Sequence, residues 1–242
     1  MRFIMDVHCH TIASGHAFST VMELANYAKS INYQLLAITD HGPAMPGAPK
    51  PLYFKNLKAI PEEINGVRIL RGVEVNILDY DGGLDLSEDI LKEMDFVIAS
   101  FHRPCIAPSS ILENTKVLRK LMEKPYISMI GHPGNPLFEV DIKSLINGAK
   151  ETGTLIEINN SSLKPNSFRL GSYDRCYRIL EESLKEKIMV AFGSDAHIAM
   201  EIGNFTFAEG MLKELKAYDD LIVNTSVEKL FEVLRRKGNF KG

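Results

Sequence analysis

Residues 2–16 read RFIMDVHCHTIASGH, a short apolar run that opens into three histidines. A run of this length followed by polar groups reads as a strand feeding a functional loop. We place the strand at 2–6, with His8 and His10 directly after it and His16 in the loop beyond. The same pattern recurs along the chain. His41 follows an apolar run at 35–39, His102 one at 96–100, His132 one at 127–130 and His197 one at 189–192. Two further runs, 67–75 and 155–158, complete a set of seven. Amphipathic stretches at 20–30, 109–123, 142–151, 173–187, 207–216 and 227–236 read as helices, and 222–223 as a brief last strand. Strands alternating with helices predict a parallel sheet. Strands this apolar are covered on both faces. About seven units predict an α/β fold closed into a barrel, with an open, doubly wound sheet as the alternative.

The 242 residues suit one domain, 1–242. A net charge of -3 argues against a long nucleic-acid track. No apolar run is long enough to span a bilayer, and the first residues lack the core of a signal peptide. Three widely spaced cysteines form no CxxC pair and suit a reducing compartment. The expectation is a cytoplasmic protein. Residues 42–52, GPAMPGAPKPL, read as a stiff loop over one end of the sheet.

The carboxyl ends of parallel strands share one face, where sites are built. In the barrel all seven imidazoles therefore gather at one mouth. Glu74, in GVEVN, and Asp195, in FGSDAH, join them. Imidazole is the commonest metal ligand, and carboxylates complete mixed nitrogen and oxygen sites. Side chains two apart on an extended chain point the same way. His8 and His10 thus reach one ion while Cys9 faces away as a buried filler, and Asp195 and His197 repeat the spacing. Nine candidates exceed the needs of one zinc-like ion, so two or three ions are expected. Three divalent ions against two carboxylates leave a positive excess, which calls for an anionic guest such as a phosphate monoester.

The segments MDVHCHTIASGHAFST (5–20), LLAITDHGPAMPGAP (35–49), ILRGVEVNI (69–77), ASFHRP (99–104), MIGHPGNP (129–136), LIEINNSS (155–162) and VAFGSDAH (190–197) carry a resemblance. In that order they resemble the PHP (polymerase and histidinol phosphatase) family, and within it the YcdX-type phosphatases. The resemblance implies a distorted seven-stranded, TIM-like (β/α) barrel with a three-metal site. It implies one ion on His8, His10, Glu74 and Asp195, a second on Glu74, His102 and His132, and a third on His16, His41 and His197. All nine positions hold the expected residue type. The family often has Met or Val where Cys9 stands, and close relatives carry an acidic residue in place of Arg103.

The expected activity is hydrolysis of small phosphate monoesters. The nucleophile expected is a hydroxide bridging the two ions that Glu74 joins, with Glu74, His102 and Asp195 as the catalytic set and Arg103 as a phosphate contact. The ions are expected to be zinc, with manganese or iron as alternatives. Asp6 and Asp40 precede ligand histidines and are candidates to accept a ring N–H; the plainer reading is that they cap strand ends. Lys164 is a phosphate candidate with surface charge as the plainer reading. Asn159 and Asn160 are candidates for substrate or rim contacts, and Gly131, Pro133, Gly134 and Pro136 for shaping the loop around His132. The partner is a small phosphorylated molecule, with neither membrane nor nucleic acid, and a homo-oligomer is compatible. Alternatives are a phosphodiesterase or nuclease, a histidinol-phosphate phosphatase, and a metal-binding scaffold without turnover.

Overall fold

The alternation of strands and helices builds one twisted sheet. The computed structural model, which describes residues 2–216 and 219–238, has eight strands. They are β1 (Met5–Cys9), β2 (Leu35–Ile38), β3 (Glu63–Ile64), β4 (Val67–Asn76), β5 (Phe96–Ser100), β6 (Met129–Ile130), β7 (Leu155–Asn159) and β8 (Val190–Gly193). Seven of them pair in parallel in the order β1-β2-β4-β5-β6-β7-β8. The ends of this path meet. The Asp195 N–H donates to the His8 carbonyl at 3.0 Å and the His10 N–H to that of Ala196 at 2.9 Å. The sheet is thus a nearly closed barrel, and the open-sheet alternative falls.

Among the described residues eight α-helices accompany the strands: α1 (Val21–Ser30), α2 (Pro51–Lys55), α3 (Glu88–Leu91), α4 (Ile111–Met122), α5 (Ile142–Thr152), α6 (Ser172–Lys185), α7 (Thr206–Glu214) and α8 (Val227–Lys237). Their boundaries follow local chemistry. Thr20 and Glu23 form a reciprocal capping box at α1, Asp141 caps α5, and Gly153 ends α5 in the left-handed conformation. Among the described residues no helix is long and apolar enough to cross a membrane.

Some expectations need correction. The first strand runs over Met5–Cys9 rather than 2–6, because its pairing with β2 continues to Cys9 opposite Ile38. β3 was not anticipated, although Asn65-Gly66 is a strong hairpin signal; both residues have positive φ, 54° and 82°, as a tight two-residue turn requires. Residues 222–223 form only a single bridge, Ile222 to Val190, before a 3-10 turn. The short helices α2 and α3 were also unforeseen.

One apolar cluster draws on all seven parallel strands, through residues such as Met5, Leu35, Leu70, Phe96, Met129, Leu155 and Ala191. Among the described residues the only α-helix it includes is α8, through Leu230, Phe231, Val233 and Leu234. This is the barrel interior, with α8 as its floor. A second, larger cluster packs the outer strand faces against the other helices. Residues two apart share a strand face, so each interior column changes character as it rises. Leu155 gives way to Glu157 and Asn159; Phe96 and Ile98 give way to Ser100; Leu70 gives way to Gly72, Glu74 and Asn76. The floor is apolar and the mouth polar.

Candidate metal centre

Between Asp6 and Cys9, β1 spans three positions while β2 spans two, from Leu36 to Ile38. This extra residue is a bulge, which puts neighbours on one face. Val7 stays in the interior cluster, and His8 turns into the mouth directly above it. Cys9 then faces outward into the outer core with no exposed surface. Burial, with Asp6 nearby, pushes its thiol well above the ordinary range, so it offers no ready thiolate.

The seven rings come together at one mouth. His8 Nε2 lies 3.2 Å from His10 Nε2 and 3.4 Å from Glu74 Oε2. Asp195 Oδ1 lies 3.2 Å from His10 Nε2. His132 Nε2 approaches Glu74 Oε1 at 2.9 Å, and His102 Nε2 approaches the same oxygen at 3.4 Å. The His16 ring centroid stands 5.0 Å from that of His41 and 4.8 Å from that of His197. Glu74 is the hub, fully buried and touching five of the seven histidines: His8, His10, His41, His102 and His132.

Three donor groups have all their ligand atoms within 4.8 Å of one another: His8, His10 and Glu74; His41, Glu74 and His102; and His10, His41 and His197. Two site residues hold unusual backbone, His132 with φ 30° and Asp195 with φ 57°. Non-glycine residues in this region cluster where a structure holds a functional geometry.

The electrostatics suit cations. Burial lowers the pKa of His10, His16 and His132, and holds that of His102 down at about 4. Burial thus favours the neutral form, whose lone pairs suit a metal. Burial also opposes charge on His8, but Glu157, Glu74 and Asp195 outweigh it and raise its pKa well above the ordinary value. Burial likewise disfavours the Glu74 and Asp195 carboxylates. For Glu74 the histidines, His102 foremost, outweigh this; for Asp195 it is His8, His10, Arg169 and His197; both pKa values end well below the ordinary range. The carboxylates that favour a positive charge on His8 likewise favour a metal cation beside it.

Among the described residues His41 Nδ1, Glu74 Oε2 and His102 Nε2 are buried without a hydrogen-bond partner. His41 Nδ1 and Glu74 Oε2 are 2.7 Å apart yet not aligned to bond. Leaving a buried polar atom unpaired costs about 1–3 kcal/mol. Three such atoms converging on one spot, drawn from nitrogen and carboxylate donors, fit bound divalent metal.

Around the donors lies a polar shell that sequence reading caught only in part. Neither Asp6 nor Asp40 accepts a ring N–H. Asp6 accepts backbone N–H groups of His8, Ser194 and Gly203, which is the plainer of the two expectations. Asp40 accepts from Thr11, Ser14 and Tyr53, and reaches His10 only through Ser14, whose Oγ is 3.0 Å from His10 Nδ1. Besides Ser14, ring nitrogens are touched by Asn76, at 2.7 Å from His102 Nδ1, Glu157, at 2.6 Å from His8 Nδ1, and the Asp195 carbonyl, at 2.9 Å from His197 Nδ1. Glu157 was missed, although a lone charge inside the apolar run LIEIN was a signal. It fits because Gly193 has no side chain: a Cβ there would collide with the Glu157 carboxylate and the His8 Cβ.

Asn159 donates to Glu157 and Asp195. Asn160 instead accepts from Phe207 and Ala208 at the start of α7, so it orders the rim rather than facing substrate. A cavity of about 800 Å³ opens over the cluster, lined by His16, His41, His102, Asp195 and His197 together with Arg103, Lys164 and Arg169. Lys164 is paired with Glu201 at 2.6 Å. Arg169, not foreseen, donates to Asp195 Oδ2 and Ser162 Oγ, each at 3.1 Å. Gly15 and Gly47 pack so closely that a Cβ on Gly15 would strike the Gly47 backbone, which ties the 42–52 loop to the His16 loop.

Fold and site together define an α/β barrel with a histidine and carboxylate donor cluster at the carboxyl ends of its strands. The chain belongs to the PHP domain family, whose model matches residues 6–227. It is 47% identical over 237 residues to a probable phosphatase of Acetivibrio thermocellus, covering 98% of this chain and 97% of that protein. It is 49% identical over 238 residues to a probable phosphatase of Caldanaerobacter subterraneus subsp. tengcongensis, covering 98% and 93%. Among solved structures, the histidinol phosphate phosphatase of Lactococcus lactis, complexed with zinc, L-histidinol and phosphate, matches with a TM-score of 0.61. That match covers 88% of this chain and 94% of that one; at 14% identity it speaks to fold.

Proposed function

We propose that this protein is a metal-dependent phosphatase of small phosphate monoesters. The observation that carries the reading is the convergence of seven histidines, Glu74 and Asp195 on one mouth, with unpaired donor atoms at its centre. The similarity to probable phosphatases along the whole chain supports it. The proposed ligand sets are His8, His10, Glu74 and Asp195; Glu74, His102 and His132; and His16, His41 and His197. Histidine-rich mixed donors of this kind suit zinc, with manganese or iron as alternatives. Divalent ions held there would supply Lewis acidity toward a phosphate and toward water.

The chain's own residues do the rest. Glu74 and Asp195 would offset part of the charge that bound ions bring, and the remaining excess favours an anionic guest. The Arg169 guanidinium is anchored beside Asp195 and held ready at the cavity wall. Arg103 stands exposed at the same wall with no hydrogen bond or ion pair to the described residues, free to meet a phosphate dianion. The cavity has room for the organic part of a small ester. With all described cysteines unpaired, we place the protein in the cytoplasm.

The test compares p-nitrophenyl phosphate with bis(p-nitrophenyl) phosphate, using protein loaded with zinc or manganese and protein stripped by chelator. The expected result is metal-dependent turnover favouring the monoester. A preference for the diester would make the protein a phosphodiesterase. Metal-loaded protein inert toward a broad phosphoester panel would make it a scaffold.

A further inference from the structure

Glu157 is fully buried, yet none of the proposed ligand sets includes it. Its two oxygens face three donors. Oε2 accepts the His132 backbone N–H at 2.6 Å. Oε1 accepts Asn159 Nδ2 at 3.1 Å and lies 2.6 Å from His8 Nδ1. The Asn159 amide cannot turn round, because its oxygen already accepts from the Ser162 N–H at 2.9 Å and the Ser162 hydroxyl at 2.8 Å. A backbone N–H only donates. Only an acceptor-only carboxylate satisfies this arrangement, and it obliges His8 Nδ1 to be the third donor. With Nδ1 carrying the hydrogen, Nε2 presents its lone pair to Glu74, His10 and Asp195.

We infer that Glu157 is a positioning residue that locks His8 in the tautomer able to ligate metal, and that the hydrogen bond it takes from His132 ties this lock to the β6 loop. The inference rests on the reading that these histidines hold metal.

Glu157→Gln is nearly isosteric but has one acceptor end. The His132 N–H at 2.6 Å is a tighter contact than Asn159 Nδ2 at 3.1 Å, so the Gln carbonyl stays with His132 and the NH2 turns toward His8, displacing the Asn159 amide. Nδ1 must then accept, and the hydrogen moves to Nε2, into the donor cluster. Partners of this kind typically carry a 10–100-fold effect on metal affinity.

The test uses the full chain with zinc as the probe. Chelator competition should show one class of zinc weakened about 10–100-fold in Glu157→Gln. Turnover should fall at limiting zinc and recover in excess. The 15N spectrum should show one ring changing from the Nδ1–H to the Nε2–H pattern. Glu157→Asp, which keeps the acceptor-only group, should retain the Nδ1–H pattern and bind zinc better than the Gln variant. Unchanged zinc affinity in Glu157→Gln, or equal impairment of Gln and Asp variants, overturns the proposal. A His8 ring without hydrogen on Nδ1 in the zinc-loaded wild-type protein overturns it whether or not a variant folds. Binding and tautomer are read without turnover, so a protein that passes here yet hydrolyses nothing fails only the phosphatase reading.

Discussion

His8 stands among three carboxylates, Glu157, Glu74 and Asp195, at 2.6, 3.4 and 3.7 Å from its ring nitrogens. Its removal takes from all three the ring that they share. We expect His8→Ala and Asp195→Ala each to abolish metal-dependent release of phosphate from a generic monoester. The loss should exceed the roughly 10–100-fold attached to an outer partner of a ligand. Full turnover in both variants would refute the assignment. Cys9 makes the opposite prediction. It sits between two proposed ligands but points into the outer core, so Cys9→Ala should leave metal content unchanged and cost on the order of 1 kcal/mol in denaturant unfolding. At this scale the sequence was informative about donors, because histidine and carboxylate chemistry is legible wherever it lies. Glu157 showed only as a lone charge in an apolar run and Arg169 not at all, because their roles depend on partners distant in the sequence. Asp6 and Asp40 were chosen by adjacency, and adjacency in sequence does not decide which hydrogen bond a carboxylate accepts.

Among the elements, β8 and α8 make separable predictions. Gly193 on β8 leaves the space that Glu157 and His8 fill. Gly193→Ala must push them apart, with an expected cost of about 1–3 kcal/mol and weaker zinc binding by chelator competition. At the end of α8, the Lys237 amine donates to the Met122 carbonyl at 2.7 Å and Thr154 Oγ1 at 2.9 Å. Burial pushes its pKa down from 10.5 to about 8. Between those values the unfolded chain holds one more proton than the folded chain, so this group's contribution to stability rises with pH. That contribution is fully present above 10.5 and lost as pH falls through about 8. The difference in unfolding midpoint between wild type and Lys237→Met, followed from pH 7.5 to 10.5, should therefore change in favour of the wild type; a flat difference would contradict it. Element types were legible from apolar runs and their spacing, and Gly153 marked the end of α5, but Thr20, read as the first residue of a helix with Ser19 as its cap, is itself the cap of α1. The bulge in β1 was not legible: it arises from pairing with β2, and a strand ended at residue 6 hides it.

For the whole molecule, closure is the decisive property. β1 and β8 lie at opposite ends of the sequence, and no local pattern encodes the hydrogen bonds that join His8 and His10 to Asp195 and Ala196. Strand count and apolar character pointed to a barrel; only the assembled sheet shows the ring. Nor did the sequence show that α8 closes the floor, since its amphipathic pattern suits any packed helix. Leu230, fully buried there, gives the test: Leu230→Ala should cost about 2–5 kcal/mol while leaving zinc affinity of the folded protein unchanged. The central claim is that the barrel brings distant imidazoles together to hold a cluster of metal ions. Anomalous diffraction from a crystal of zinc-loaded protein tests it most directly. The account predicts three zinc peaks among His8, His10, His16, His41, Glu74, His102, His132, Asp195 and His197; a mouth without anomalous density, or zinc bound only elsewhere, would contradict it.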